Sequence, residues 1–153
     1  MKNFIFKFAQ RLRSDRGNAL IELAIGMTVL TSLILGAAEF GRIAYAAIEV
    51  NDAAHAGAAY GAISRTYAAD NANVTNAAKK DAPDVPGMTA TALYWCQCSD
   101  GSASTCGVSD CTGTRIIEYV TVKTSGTVDP LVYVPGLLKS YTVTGQAVMR
   151  VEQ

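Results

Sequence analysis

The chain has no net charge: 13 basic and 13 acidic side chains cancel over 153 residues. A protein that grips nucleic acid through its phosphates needs a basic surplus, so that class of partner is excluded. Aromatic residues are scarce, at 8% with one Trp, although half of all residues are hydrophobic. The apolar content is therefore mainly aliphatic and Ala-rich, and mean hydropathy is slightly positive. This is too apolar for an ordinary soluble domain and too polar for a polytopic membrane protein, and one membrane segment reconciles the two. Histidine is nearly missing: His55 stands alone in an Ala-rich stretch with no Ser, Cys or carboxylate motif around it. The cysteines lack C-x-x-C redox spacing. Neither an enzyme nor a cofactor is expected.

What charge there is lies unevenly. Residues 1–16 carry five bases against Asp15, giving +4; residues 18–38 carry only Glu22; from Glu39 onward eleven acids meet eight bases, giving −3. A basic start, an apolar stretch and a mildly acidic remainder is the order of a chain that crosses a membrane once with its N-terminus in the cytoplasm. Residues 23–38 are wholly uncharged. A spanning helix needs about 20 residues and a signal-peptide core about 7–15, so the segment stands at the border. Gly36-Ala37-Ala38 offers small residues for signal peptidase, which would release a secreted module starting near Glu39. The helical pattern argues for retention, because Phe40, Ile43, Ala47, Val50, Ala54, Gly57 and Gly61 recur at spacings of three and four. One helix is predicted to run on to about Arg65. At about 1.5 Å per residue it would be roughly 70 Å long, more than twice the roughly 30 Å hydrocarbon core. The sequence thus divides into a basic cytoplasmic leader 1–17, a transmembrane helix 18–38, and an extracytoplasmic continuation of that helix over 39–67. A linker or short helix follows over 68–88, then a β-rich head over 89–153.

Between positions 36 and 62, 15 of 27 residues are Ala or Gly. Ala37 and Gly41, Ala54 and Ala58, and Gly57 and Gly61 each stand one turn apart, and small residues let helix backbones approach closely. This face could pack on other helices or on the chain's own sheet, and a helix has two sides for both. Glu22 is the other anomaly, since an ionised carboxylate one turn inside an apolar segment is costly unless it snorkels or is paired. Arg16 is near enough for a simple boundary explanation. A sharper one comes from the preceding residues, Arg16-Gly17-Asn18-Ala19-Leu20-Ile21-Glu22, which set the carboxylate five positions after a Gly that follows a basic leader.

That spacing resembles the processing site of type IV pilin precursors, where a prepilin peptidase cuts after the Gly on the cytoplasmic side and leaves the apolar helix in the mature chain. Cleavage between Gly17 and Asn18 would create a positive α-amine, and Glu22, four residues on and on the same helix face, could pair with it within or between chains. The likeness extends further. The N-terminal block, the later Glu39-Phe40-Gly41-Arg42 block, the Ala/Gly-rich block Ala53-Ala54-His55-Ala56-Gly57-Ala58-Ala59-Tyr60-Gly61 and the ending Thr144-Gly145-Gln146-Ala147-Val148-Met149-Arg150-Val151-Glu152 together resemble the TadE family. Leu23 stands where related small pilins carry an aromatic, and His55-Ala56 where an Arg-Glu pair is frequent. The resemblance implies a minor pilin or pseudopilin of the tight-adherence (Flp) pilus system, with a pilin-like fold. It implies, as partners, other pilin subunits, the peptidase, the inner-membrane assembly machinery and the lipid bilayer. The implied location is the bacterial inner membrane, with the C-terminal domain periplasmic and entry into an extracellular pilus open.

Residues 68–87 show little apolar periodicity and include Pro83 and Pro86, so a loop with at most a short helix is expected. Asn73-Val74-Thr75 fits a glycosylation sequon, a three-residue match of little weight. Strands are predicted over 89–98 and 115–124, and near the end Tyr141, Val143, Ala147, Met149 and Val151 share a face opposite Thr142, Thr144, Gln146, Arg150 and Glu152. Asp129-Pro130 and Pro135-Gly136 mark the connection between the last two. The fold class is α+β: a long N-terminal transmembrane-plus-stalk helix packed on a small antiparallel sheet of three or four strands, with a stapled loop.

The staples are Cys96, Cys98, Cys106 and Cys111. Their C-x-C-x7-C-x4-C spacing lacks the paired knuckles of common zinc sites, and an extracytoplasmic position favours disulfides. Cys96 and Cys98 lie about 7 Å apart along one strand face, beyond easy bridging, so each pairs across the loop. Either Cys96–Cys111 with Cys98–Cys106, or Cys96–Cys106 with Cys98–Cys111, remains. The loop could serve as a contact surface or simply stabilise the head. Rival functions are a single-span anchor whose outer domain binds a ligand and is never assembled, and the secreted module. N-terminal sequencing of the mature protein separates them: a start at Asn18 is expected, a start at Met1 identifies the plain anchor, and a start at Glu39 the secreted module.

Overall fold

The computed structural model describes residues 15–108, 110–132 and 139–152, with the side chains of Asp15 and Arg16 excepted. Most of the leader and the Pro135-Gly136 turn expected from the sequence lie outside these residues. The element order is α1 (Asp15–Ala62), α2 (Arg65–Ala69), α3 (Asn71–Asp81), β1 (Thr89–Cys98), β2 (Ala103–Ser104), β3 (Ile116–Val128) and β4 (Tyr141–Arg150). The chain divides into two compact units, one up to Phe40 and one from Gly41 onward.

In the first unit the helix carries Leu20, Ile21, Leu23, Ile25, Met27, Val29, Leu30, Leu33, Ile34 and Leu35, all exposed. It is long and apolar enough to cross a membrane. The polar side chains inside it turn back on the helix: Thr28 Oγ1 donates to the Ala24 carbonyl at 2.8 Å and Thr31 Oγ1 to that of Met27 at 2.7 Å. This internal satisfaction is what hydroxyls need where no water is available.

In the second unit a four-stranded antiparallel sheet has the order β2-β1-β3-β4. β3 sits in the middle and alternates strictly, with Glu118, Val120, Val122, Thr124, Gly126 and Val128 buried. Its pairing with both neighbours runs without a bulge for ten residues each, which fixes the faces, since a one-residue slip would turn the buried set outward. Residues 46–62 of α1 lie on this face. Ala46, Val50 and Ala53 join Val128 and Val143 at one end, and Ala54 and Ala58 join Val74, Ala78, Val120, Val122 and Ala147 at the other.

Three local features differ from expectation in extent. α1 ends at Ala62, short of 65–67, because the Glu152 N–H donates to the Ala62 carbonyl at 2.8 Å and Ser64 caps a separate turn, accepting from the Tyr67 N–H. The 68–88 segment holds the 11-residue α3, begun by Asp70, which accepts from the Asn73 N–H at 3.0 Å. It ends with Lys79 and Lys80 beside the negative helix end. The weak apolar pattern there has a simple reason: Val74 and Ala78 alone are buried on α3, too few to reveal a period. β3 extends to Val128 because its pairing with β4 continues to Val128 opposite Tyr141, and the Thr127 N–H donates to the Pro86 carbonyl at 2.9 Å, tying the strand to the proline segment.

The fit of α1 depends on residues without side chains. A Cβ on Gly145 would lie 2.6 Å from the Val50 carbonyl oxygen and 2.7 Å from Asn51 Cα, whereas one on Gly36 would meet nothing within 4 Å. Gly145→Ala is therefore expected to destabilise the head by about 1–3 kcal/mol through overpacking, and Gly36→Ala to stay within about 0.5 kcal/mol. Trp95, the sole Trp of the chain, lies in the head, so its fluorescence during denaturant unfolding of the full chain measures both.

Candidate assembly site

Gly17, Asn18 and Glu22 all fall within α1. Asn18 and Glu22 are exposed and one turn apart, so a charge on the backbone nitrogen of residue 18 and the carboxylate would share one helix side. Glu22 is flanked by the exposed apolar side chains of Leu20, Ile21, Leu23 and Ile25, and an ionised carboxylate within an apolar membrane segment is costly unless it is paired.

The small residues singled out on α1 fall into two groups. Ala37 and Gly41 are exposed, and a Cβ on Gly41 would meet nothing within 4 Å. Ala54, Gly57, Ala58 and Gly61 are buried in the head. A Cβ on Gly57 would stand 2.9 Å from Ala78 Cβ, and one on Gly61 3.0 Å from Val120 Cγ2, so these two glycines admit α3 and β3 against the helix. The other side of the same stretch shows Tyr45, Ile48, His55 and Ala59 to the surroundings.

Where α1 ends, Glu118 occupies a core position of β3 and is 1% exposed. Its Oε1 lies 2.6 Å from Arg65 Nε, and Tyr94 Oη donates to Oε2 at 2.8 Å. Both carboxylate oxygens are therefore engaged, as a buried charge requires. The sequence carries a signal for this position that only the strand period reveals: Glu118, two residues before Val120 and four before Val122, falls in phase with the buried face. On the opposite face Trp95 stacks on Tyr119, with centroids 4.7 Å apart, and donates from Nε1 to Thr121 Oγ1 at 2.9 Å.

The cysteines pair as Cys96–Cys106 and Cys98–Cys111, the interleaved one of the two arrangements. β2 lies antiparallel to the end of β1, with Cys96 opposite Ser104, and this turn brings position 106 back to Cys96. Two aspartates hold the loop: Asp110 accepts from Ser104 Oγ at 2.7 Å and from the Thr105 N–H at 2.8 Å, and Asp100 accepts from the Ser102 N–H and hydroxyl. These bonds hold both carboxyls below the usual range, the Ser104 hydroxyl foremost for Asp110 and the Ser102 N–H for Asp100. Among the described residues, one grouping has metal-ligand composition, Cys98 with Asp110 and Cys111. Its two sulfurs form a disulfide and so are not thiolate donors.

These features define a class: a membrane-anchored protein in which one long apolar helix leads into a small, disulfide-stapled α+β head. Within that class, residues 17–59 match the model of the TadE-like protein family, the same family that the sequence blocks resemble. The matched stretch takes in the Gly17-Asn18 junction, Glu22 and most of α1. The match and the apolar helix fit a pilus-associated membrane protein, and the family is structural rather than enzymatic. No curated protein and no solved structure matches the chain.

The Tyr94 phenol is pushed up to about 12, first by burial and then by its bond to Glu118 and that carboxylate's charge, with Arg65 opposing. An unfolded Tyr ionises near 10, so folding is favoured fully below pH about 10 and this contribution is lost as pH rises to about 12. Alkaline unfolding should thus show a stability loss over that window in the wild type that is reduced in Tyr94→Phe, even though Tyr94→Phe is less stable at neutral pH.

Proposed function

We propose that this chain is a minor pilin or pseudopilin subunit of a tight-adherence type IV pilus. It is inserted in the inner membrane with its N-terminus cytoplasmic and its head periplasmic. Prepilin peptidase removes residues 1–17, and the helix beginning at Asn18 then packs among the helices of other pilin subunits. Glu22 pairs with the new amine. The observation that carries this proposal is the family match over 17–59, which spans the Gly17-Asn18-to-Glu22 spacing. Support comes from an apolar helix whose large side chains are exposed along residues 20–35 and must be covered by lipid or by other helices.

The division of small residues refines the assembly surface. Gly57 and Gly61 are taken up by the chain's own head, so contacts between subunits fall to the exposed positions, among them Ala37 and Gly41. Removal of the leader discards the whole basic surplus at the N-terminus. The mature side chains then sum to −4, from twelve acids and eight bases after position 17, with one new positive amine beside Glu22.

Glu22→Ala is expected to leave membrane insertion and abundance unchanged while incorporation into, or initiation of, the pilus falls at least tenfold. Immunodetection of sheared pili against a membrane fraction checks this. Wild-type incorporation in Glu22→Ala would overturn the assigned role of the carboxylate.

A further inference from the structure

Among the described residues, both outer strands of the sheet leave backbone unpaired. β4 pairs with β3 over ten residues, and no described residue bonds to the backbone on its far side. β1 is covered by β2 only at Cys96 and Gln97, which leaves residues 89–95 open among the described residues. Open edges are normally guarded by charge, proline or a bulge, and an unguarded edge is a template for another strand. β1 contains no charged residue and no proline, and β4 has only Arg150 at its last position. Neither register is broken by a bulge.

We propose that β4 of one chain adds in parallel to residues 89–95 of β1 in a second copy, so that one sheet continues head to tail through successive chains. Direction selects this occupant. β1 and β4 are each antiparallel to β3 and hence parallel to one another. A translated copy therefore sets its β1 beside β4 running the same way, with both helix-covered faces on one side.

The competing arrangement, β4 against β4 about a two-fold axis, is antiparallel. Within the head α1 runs in the direction of β4: Ala46 clusters with Val143, the Val50 carbonyl lies over Gly145, and the Ala62 carbonyl receives the Glu152 N–H. A two-fold pair would place the Gly41 ends of the two helices at opposite ends of the joined sheet, yet both chains continue from Gly41 into apolar segments that need one membrane. Parallel addition sets those ends alike. Inner faces must also meet inner faces, which pairs odd-numbered residues of β4 with even-numbered residues of β1. On the outer faces, uncharged Thr144, Gln146 and Val148 then lie beside uncharged Thr91 and Leu93. A heterologous contact of this kind does not close on itself and generates an open array.

The inference concerns the heads and does not depend on cleavage after Gly17, so its test is read on anchored chains whichever N-terminus they carry. Full-length Thr91→Cys is co-expressed with a differently tagged chain bearing Thr144→Cys, Gln146→Cys or Val148→Cys. All four positions are exposed on the outer face, so folding is spared. After mild oxidation of membranes, at least one combination should give a mixed-tag dimer at five times or more the level of any dimer between identical β4 variants. Adding Thr142→Lys, which puts charge on the β4 edge, should reduce that yield at least fivefold. Predominance of identical β4 dimers, absence of mixed dimers in all three combinations, or a yield unaffected by Thr142→Lys would overturn the proposal.

Discussion

At Gly145 the helix and the sheet meet backbone to backbone, with the Val50 carbonyl oxygen where a side chain on that strand residue would begin. The same carbonyl accepts from Thr124 Oγ1 at 2.6 Å on the neighbouring strand. This contact sets the depth at which α1 lies in the head, and the remaining core follows from it. Around this contact the helix carries Ala or Gly at 46, 53, 54, 57, 58 and 61, with Val50 the one larger buried side chain among them, and the strands beneath carry Val, Ala or Gly at 120, 122, 126, 143 and 147. α3 is admitted beside α1 because Gly57 presents no Cβ to Ala78.

A core of this composition has a weakness. Each buried Ala removes far less apolar surface from water than a Leu or Phe, for which full burial contributes about 1.5–3 kcal/mol. The head offsets this with fixed links at its margins. Glu118 binds Arg65 and Tyr94 where α1 gives way to α2, the Glu152 N–H caps the last carbonyl of α1, and two disulfides close the far end of β1. Closing loops in this way restricts the unfolded chain, an effect that does not need a large core.

The parts of this arrangement that the sequence showed were those with a period or a spacing. β1 was legible to the residue because Thr89 to Cys98 is rich in strand formers and bounded by turn residues, and the alternation in β4 is strict. The apolar run was visible from its composition and length. The disulfide arrangement was not, because two pairings satisfy the same spacing and only the short β2 turn decides between them. The short helix allowed for over 68–88 is α3, whose bounds stayed open because its two core residues cannot establish a period. The end of α1 is set by partners 90 residues away in the chain, and no local signal other than Ser64 marks it. Glu118 is hard to place from sequence because an acid within a strand reads first as a solvent-facing residue.

Glycine in a helix is unfavourable by about 1 kcal/mol relative to Ala, so each one in α1 needs a reason. Gly57 and Gly61 have theirs in the head, where any side chain would strike α3 or β3. Gly26, Gly36 and Gly41 have none among the described residues, since an added Cβ at each meets open space. Lipid alone does not supply one, because acyl chains accommodate Ala as readily as Gly. What distinguishes Gly from Ala at an exposed helix position is how near another helix backbone can come. The same residue type thus meets two settings along one helix: at the head it admits the chain's own sheet and α3, and at 26, 36 and 41 it leaves the helix backbone bare on a side that no described residue covers.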